Sequence, residues 1–279
     1  MSNFIHFNGK IIPAENPLVS AGSRGLRYGD GLFETMRVIN GRIALHYLHF
    51  ERLFNGLAVL QFQCPASFTP AYLAEAVLAL CRKTNIEKGA RVRLNVVRGN
   101  GGLFDPDNHI PNVIIEATPL EAPAGIQEQG LVIDIYNTVR KHYDVLANIK
   151  SNNYLPYVLA ALHANNNRLH ECLLLNTAGR ICDATIANVF WVKDGRIYTP
   201  PLSEGGIGGV MRRYLIENVA KQHAIREEPL TPEMLEQADE VFLTNAIMGI
   251  KWVGRYRDKE YSNQMATLLY NEYVKKLWE

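Results

Sequence analysis

Val145 to Leu155 reads VLANIKSNNYL: a short apolar stretch, a lone lysine at position 150, three polar residues, and then the start of an apolar run. The run continues from Asn153 to Asn165, dense in leucine and alanine, and predicts a helix. A lysine at such a junction is by default a solvated surface side chain. It acquires chemistry only in a partly dry pocket, where lost hydration lowers its pKa and frees the amine as a nucleophile.

Outward from this junction, strands and helices mix. Leu131–Tyr136 and Glu171–Asn176 read as strands, and Ala187–Tyr198 as a hairpin turning at Asp194-Gly195. Gly209–His223 reads as a helix after a glycine run, Glu240–Thr244 as a short strand, and Asn263–Leu277 as a C-terminal helix. On the N-terminal side, Asn8-Gly9 and Asn40-Gly41 each interrupt extended runs as hairpin turns do. Between them lies a glycine-rich segment, Arg24 to Arg37, whose Gly29-Asp30-Gly31 reads as a turn. Helices are predicted over Leu48–Leu60, with Leu53, Leu57 and Leu60 on one face, and over Pro70–Thr84; strands over Arg91–Arg98 and Asn112–Thr118. Pro119 to Gly130 has two prolines, two glycines and no periodicity, the mark of a linker. The expected division is 1–118, a linker over 119–130, and 131–279. Interleaved hairpins and helices point to an α+β fold rather than a doubly wound parallel sheet.

The 279 residues are ample for a core without staples, and the formal charge of +1 gives no broad attraction to nucleic acid or anionic membrane. Cys64, Cys81, Cys172 and Cys182 form no C-x-x-C pair and read as reduced thiols of a cytoplasmic protein. The N-terminus lacks a signal-peptide pattern, and Tyr154–Ala164 is too short to span a bilayer. His46 and His49 lack a third metal ligand, so no metal is expected and both read as surface or capping residues; His163 and Asp144 lack a G-x-S-x-G elbow. Glu204–Arg213 (EGGIGGVMRR) is a glycine-rich loop opening a helix, a natural phosphate seat that matches neither the P-loop nor the dinucleotide pattern.

In order along the chain stand RYGDGLFETMRV, HFERL, NIKSNNYL, ICDATIANVFW, GGVMRR and FLTNAIMGI. Together they resemble the class IV aminotransferase family: branched-chain and D-amino acid aminotransferases and aminodeoxychorismate lyases. The resemblance implies a two-domain fold type IV enzyme dependent on pyridoxal 5′-phosphate, with Lys150 carrying the cofactor as a Schiff base and moving the proton. It implies that Arg52 and the amides of Val210 and Met211 hold the phosphate, with Thr244 and Asn245 nearby, and that Tyr154 lies near the phenolic oxygen. Asp183 stands where the family usually has a glutamate against the pyridine nitrogen; aspartate is one methylene shorter. Tyr28, Glu34, Arg98 and Asn245 would face the small amino substrate. A homodimer is implied, its sites sharing residues from Arg24–Arg37 and Asn100–Asp107.

Three features of the resemblance lean towards the lyase, which makes 4-aminobenzoate and pyruvate for folate biosynthesis. GNGGLFDP follows Arg98 and places Leu103 and Asp105 where D-amino acid aminotransferases carry a carboxylate-trapping Arg and His. GGVMRR and TNAIMGI also resemble the lyase versions. A branched-chain-like aminotransferase is the alternative, a D-amino acid aminotransferase comes after it, and a degenerate non-catalytic member last.

Overall fold

β3, Gly31–Ile39, is a deeply buried strand of the N-terminal half: eight of its nine residues are buried, leaving only Thr35 partly open. The computed structural model that shows this describes residues 3–16, 18–105, 107–122, 125–219 and 223–279. Its backbone contacts divide the chain into two units, Met1–Ala122 with Ile149–Asn153, and Pro123–Asn148 with Tyr154–Glu279.

In unit 1 the order is β1 (Phe4–Phe7), β2 (Lys10–Pro13), α1 (Arg24–Tyr28), β3, β4 (Arg42–Ile43), α2 (His46–Val59), α3 (Pro70–Lys83), β5 (Gly89–Val97) and β6 (Asn112–Pro119). Among the described residues these strands form one six-stranded sheet ordered β2-β1-β6-β5-β3-β4. Both Asn-Gly hairpins form as expected, with Asn8, Gly9, Asn40 and Gly41 at positive φ. β3 pairs antiparallel with β5 along its whole length, from Gly31↔Val97 to Ile39↔Gly89. The glycine-rich Arg24–Arg37 segment is therefore the short helix α1 followed by most of β3, joined through Gly29 and Asp30.

A Cβ on Gly31 would lie 2.4 Å from the Val96 carbonyl oxygen, so only glycine lets the strands close there. The apolar faces of α2 (Leu53, Leu57) and α3 (Leu73, Val77, Leu80) cover Met36, Val92, Leu94 and Val96 of the sheet. Each such fully buried side chain contributes roughly 1.5–3 kcal/mol relative to exposure. Thr69 caps α3 by accepting from the Tyr72 amide, with Pro70 in the first turn.

Residues 149–153 pair with the start of β3: Phe33 N–H donates to the Lys150 carbonyl (3.0 Å) and Asn152 N–H to the Gly31 carbonyl (2.9 Å). This pairing puts the lysine segment in unit 1, although a boundary at 119–130 assigns it to the C-terminal part.

Unit 2 runs β7 (Leu131–Lys141), α4 (Leu155–Asn166), β8 (Glu171–Asn176), β9 (Ile181–Ala184), β10 (Asn188–Lys193), β11 (Arg196–Thr199), α5 (Val210–Asn218), β12 (Arg226–Glu227), α6 (Pro232–Gln237), β13 (Glu240–Asn245), β14 (Gly249–Tyr256), β15 (Lys259–Glu260) and α7 (Gln264–Leu269). The helix continues through a π-helical stretch, Tyr270–Val274, into α8 (Lys275–Trp278). The predicted Gly209–His223 helix is regular only over α5, and its expected residues 220–222 lie outside those described. The sheet order is β12-β11-β10-β13-β14-β7-β8-β9, with β15 on β14. Most pairs are antiparallel, but β7 runs parallel to β8 and to β14. α4 packs on β7 and β8, burying Tyr157, Ala160 and Ala164 against Leu174 and Cys182. Among the described residues no helix is long and apolar enough to cross a membrane.

Candidate active site

Unit 1 presents the lysine. Lys150 is half-buried, and its Nζ lies 4.4 Å from the centre of the Phe33 ring. The Arg93 guanidinium carbon lies 3.8 Å from the centre of the same ring. Phe33 thus packs beside an amine and a guanidinium, with cation–π attraction to both.

The next residue, Glu34, is 1 % exposed and fully paired. It accepts from Arg52 Nε at 2.8 Å and Nη2 at 2.5 Å, and lies 2.6 Å from His49 Nδ1. His49 and Arg52 stand three apart on α2, so both reach one carboxylate from one helix face. Burial alone would raise the Glu34 pKa, but the charge of Arg52 and the contacts of His49 outweigh it and hold the carboxyl at about 2. Burial lowers the His49 pKa against the pull of Glu34, and its Nε2 is buried with no hydrogen-bond partner among the described residues.

Arg98 follows β5. Its Nε donates to Asp30 at 3.1 Å, its other nitrogens meet His109 and the Leu60 carbonyl, and its guanidinium stacks 4.4 Å from the Phe62 ring centre. Asp30 also accepts from Arg24 at 3.0 Å. Of the four side chains expected to face the substrate, Glu34 and Arg98 are thus committed to contacts inside unit 1. Tyr28 is exposed at the end of α1.

Unit 2 supplies Asp183 and the glycine loop. Asp183, on β9, is 2 % exposed. Its Oδ2 accepts from the Tyr157 hydroxyl (2.9 Å), Lys141 Nζ (3.2 Å) and the Ile207 amide (2.9 Å), and its Oδ1 from Asn188 Nδ2 (3.1 Å). A carboxylate offers about four lone-pair sites, and three donors crowd Oδ2, so Oδ1 keeps room for one more donor. Tyr154, just before α4, stacks on Tyr157 with ring centres 4.2 Å apart and donates to the Thr185 carbonyl at 3.4 Å.

The loop before α5 is glycine for steric reasons. A Cβ on Gly209 would fall 1.7 Å from Asn188 Oδ1, and one on Gly206 would fall 2.5 Å from the Cys182 carbonyl. The amides of the buried Val210 and Met211 lie in the first turn, where no helical carbonyl can accept from them. Thr244, on β13, pairs with Asn188 of β10, so both side chains share a sheet face, the one that meets the α5 loop through Asn188. The Thr244 hydroxyl is buried with no hydrogen-bond partner among the described residues. An orphaned hydroxyl beside a glycine-lined helix start fits a phosphate.

Asn245 is occupied otherwise. Its Oδ1 accepts from the amides of Ile247 and Met248 at 3.0 and 2.8 Å, and its Nδ2 donates to the Ile186 carbonyl at 3.2 Å. It shapes the turn after β13. Arg212 donates to the Pro200 carbonyl and pairs with Glu227. No group of three or more His, Cys, Asp or Glu that could hold a metal occurs among the described residues.

Sequence reading missed Phe33, Arg93, Lys141, Tyr157 and Asn188, and it took His49, which is fully buried against Glu34, for a surface or capping residue. The i, i+3 spacing of His49 and Arg52 inside HFERL was a signal that could have linked those two. Nothing local marks the others, because strand pairing and, for Tyr157, the packing of α4 bring them in over long separations.

An amine on a strand-paired loop, a phosphate seat at a helix start and a buried carboxylate are the parts of a fold type IV pyridoxal-phosphate enzyme, and the chain's relatives bear that class out. The family described as amino-transferase class IV matches residues 31–255, and the chain belongs to that family. The chain is 34 % identical over 280 residues, 99 % of this chain and 94 % of the relative, to a Methanocaldococcus jannaschii protein provisionally named a branched-chain-amino-acid aminotransferase. It is 30 % identical over 286 residues, 98 % of this chain and 95 % of the relative, to an aminodeoxychorismate lyase of Bacillus subtilis. The structure matches that of a T.th. branched-chain amino acid aminotransferase with pyridoxamine 5′-phosphate at a TM-score of 0.89 and 25 % identity, covering 99 % of this chain and 94 % of that one. The cofactor is pyridoxal 5′-phosphate, and the chemistry is that of a lyase or an aminotransferase.

Proposed function

We propose that this enzyme is an aminodeoxychorismate lyase, converting 4-amino-4-deoxychorismate to 4-aminobenzoate and pyruvate. The observation that carries this reading is the segment after β5. From Gly99 to Asp105 the chain offers an acid and two exposed apolar side chains, Leu103 and the 99 %-exposed Phe104, and no cation. Arg98 is spent on Asp30, His109 and Leu60. An amino acid aminotransferase of the D-type needs cations here to trap the α-carboxylate. Identity to the B. subtilis lyase over nearly the whole chain supports the same reading.

Bound pyridoxal phosphate supplies the electron sink for breaking a bond at the carbon that bears the substrate nitrogen. The chain's own residues do the rest. Lys150 links the cofactor and moves a proton at Nζ, with Phe33 keeping that amine partly dry. Arg52, the Thr244 hydroxyl and the Val210 and Met211 amides bind the phosphate. Tyr154 orients the phenolic oxygen, and Asp183 offers its remaining lone pair to the ring nitrogen. Glu34 acts through Arg52, and Asn245 through the turn it folds.

A branched-chain-type aminotransferase is the second reading, favoured by the M. jannaschii relative and by the structural likeness to the T.th. enzyme. Holoenzyme given aminodeoxychorismate should release 4-aminobenzoate and pyruvate in equal amounts. If common amino acids convert the cofactor to its amine form while aminodeoxychorismate yields no pyruvate, the aminotransferase reading takes first place.

We also place the enzyme in the cytoplasm, since Cys64, Cys81, Cys172 and Cys182 are all free thiols. We propose a homodimer as its working form. α4 supports the pairing, because Leu155, Val158, Leu159 and Leu162 are exposed on a helix that is apolar all round. Leu162→Glu should shift the mass measured by light scattering towards the monomer. An unchanged dimer mass in that variant would remove α4 from the interface.

A further inference from the structure

Lys141 is 8 % exposed at the end of β7, and its Nζ reaches both Asp183 and the Tyr157 hydroxyl. The register of β7 against β8 shifts between Tyr136 and Arg140, and this irregularity precedes Lys141 as it takes its place opposite Asn176. Asp183 pairs with Leu174 on the other edge of β8, so the two side chains meet from strands flanking β8. Tyr157 of α4 closes over them; the Lys141 ammonium lies 4.6 Å from its ring centre. A buried ammonium is tolerable only with an anion beside it, and Asp183 is the carboxylate it touches.

This pairing alters what Asp183 can do. A lone buried carboxylate next to a pyridine nitrogen demands a proton there, because nothing else balances its charge. Here the charge is already balanced by Lys141, and three of the carboxylate's four donors crowd Oδ2. We propose that Lys141 is a positioning residue that shares the charge of Asp183, so that the carboxylate holds the cofactor's ring nitrogen while demanding its proton less strongly. The proposal rests on the reading that Asp183 faces that nitrogen.

The test is the 15N signal of holoenzyme loaded with cofactor labelled at the ring nitrogen, with free cofactor in acid and in alkali as the two limits. Wild type should lie between the limits; a signal at the protonated limit overturns the proposal without any variant. Lys141→Gln, which keeps a donor but no charge, and Lys141→Met should both move the signal towards the protonated limit, by about tenfold or more in the protonation ratio. A signal that stays put, or moves the other way, would mean that Lys141 only braces the fold. Asp183→Asn separates the two failures: it should send the signal to the unprotonated limit. If it leaves the wild-type signal unchanged, the placement of Asp183 at the ring is what fails.

Discussion

Lys150→Ala should lower turnover by about 10³-fold or more, since on the proposed reading it removes both the anchoring amine and the proton carrier. The purified wild-type protein should be yellow, and borohydride should fix the cofactor permanently onto Lys150. Peptide mapping that found the adduct on another lysine would overturn the assignment. Lys150→Arg sharpens the test. Arginine keeps the positive charge and can keep the contact with the Phe33 ring, so a purely structural cation would tolerate it. A guanidinium can neither act as a nucleophile nor give up its proton at neutral pH. The arginine variant should therefore be as inactive as the alanine variant, with a near-normal melting temperature. Substantial turnover in the arginine variant would show that Lys150 serves the fold and not the chemistry.

Periodicity and turn chemistry made much of this fold legible in advance. α2 and α3 carry clear helical stripes, and Asn8-Gly9, Asn40-Gly41 and Asp194-Gly195 are turns with the residues such turns require. β3 escaped for a physical reason. It is buried on both faces, so GLFETMRVI shows no clean alternation, and Gly29-Asp30-Gly31 at its start reads only as a turn. β9 is only four residues long and fully buried, too short to show a period, and β14 went unread as well. The candidate site divides the same way. Lys150, Arg52, Asp183 and the α5 start are named by ordered motifs, whereas Lys141 and Arg93 enter through strand register, which spacing along one chain does not report.

Glu34→Ala should destabilise the protein by about 3–5 kcal/mol, because it leaves the Arg52 guanidinium, largely buried on α2, without its anion. The melting transition of unit 1 should fall by on the order of 10 °C. Glu34→Gln keeps one acceptor and should lose less. The same network makes stability depend on acid. The Glu34 carboxyl has an ordinary value of 4.5 and is held at about 2 in the fold, so its contribution is complete above pH 4.5. It should drain away as pH falls from 4.5 towards 2, and chemical denaturation across that window should lose about 3 kcal/mol that Glu34→Gln does not lose. Parallel curves for wild type and Glu34→Gln would mean that the buried pair carries no such coupling. The network also bears on the cofactor. Arg52 is pinned by Glu34 through two nitrogens, so a phosphate grip by Arg52 needs the carboxylate to hold the guanidinium in place. Glu34→Gln should then weaken cofactor binding even where the protein remains folded, and it should do so with Arg52, the residue proposed to grip the phosphate, unchanged.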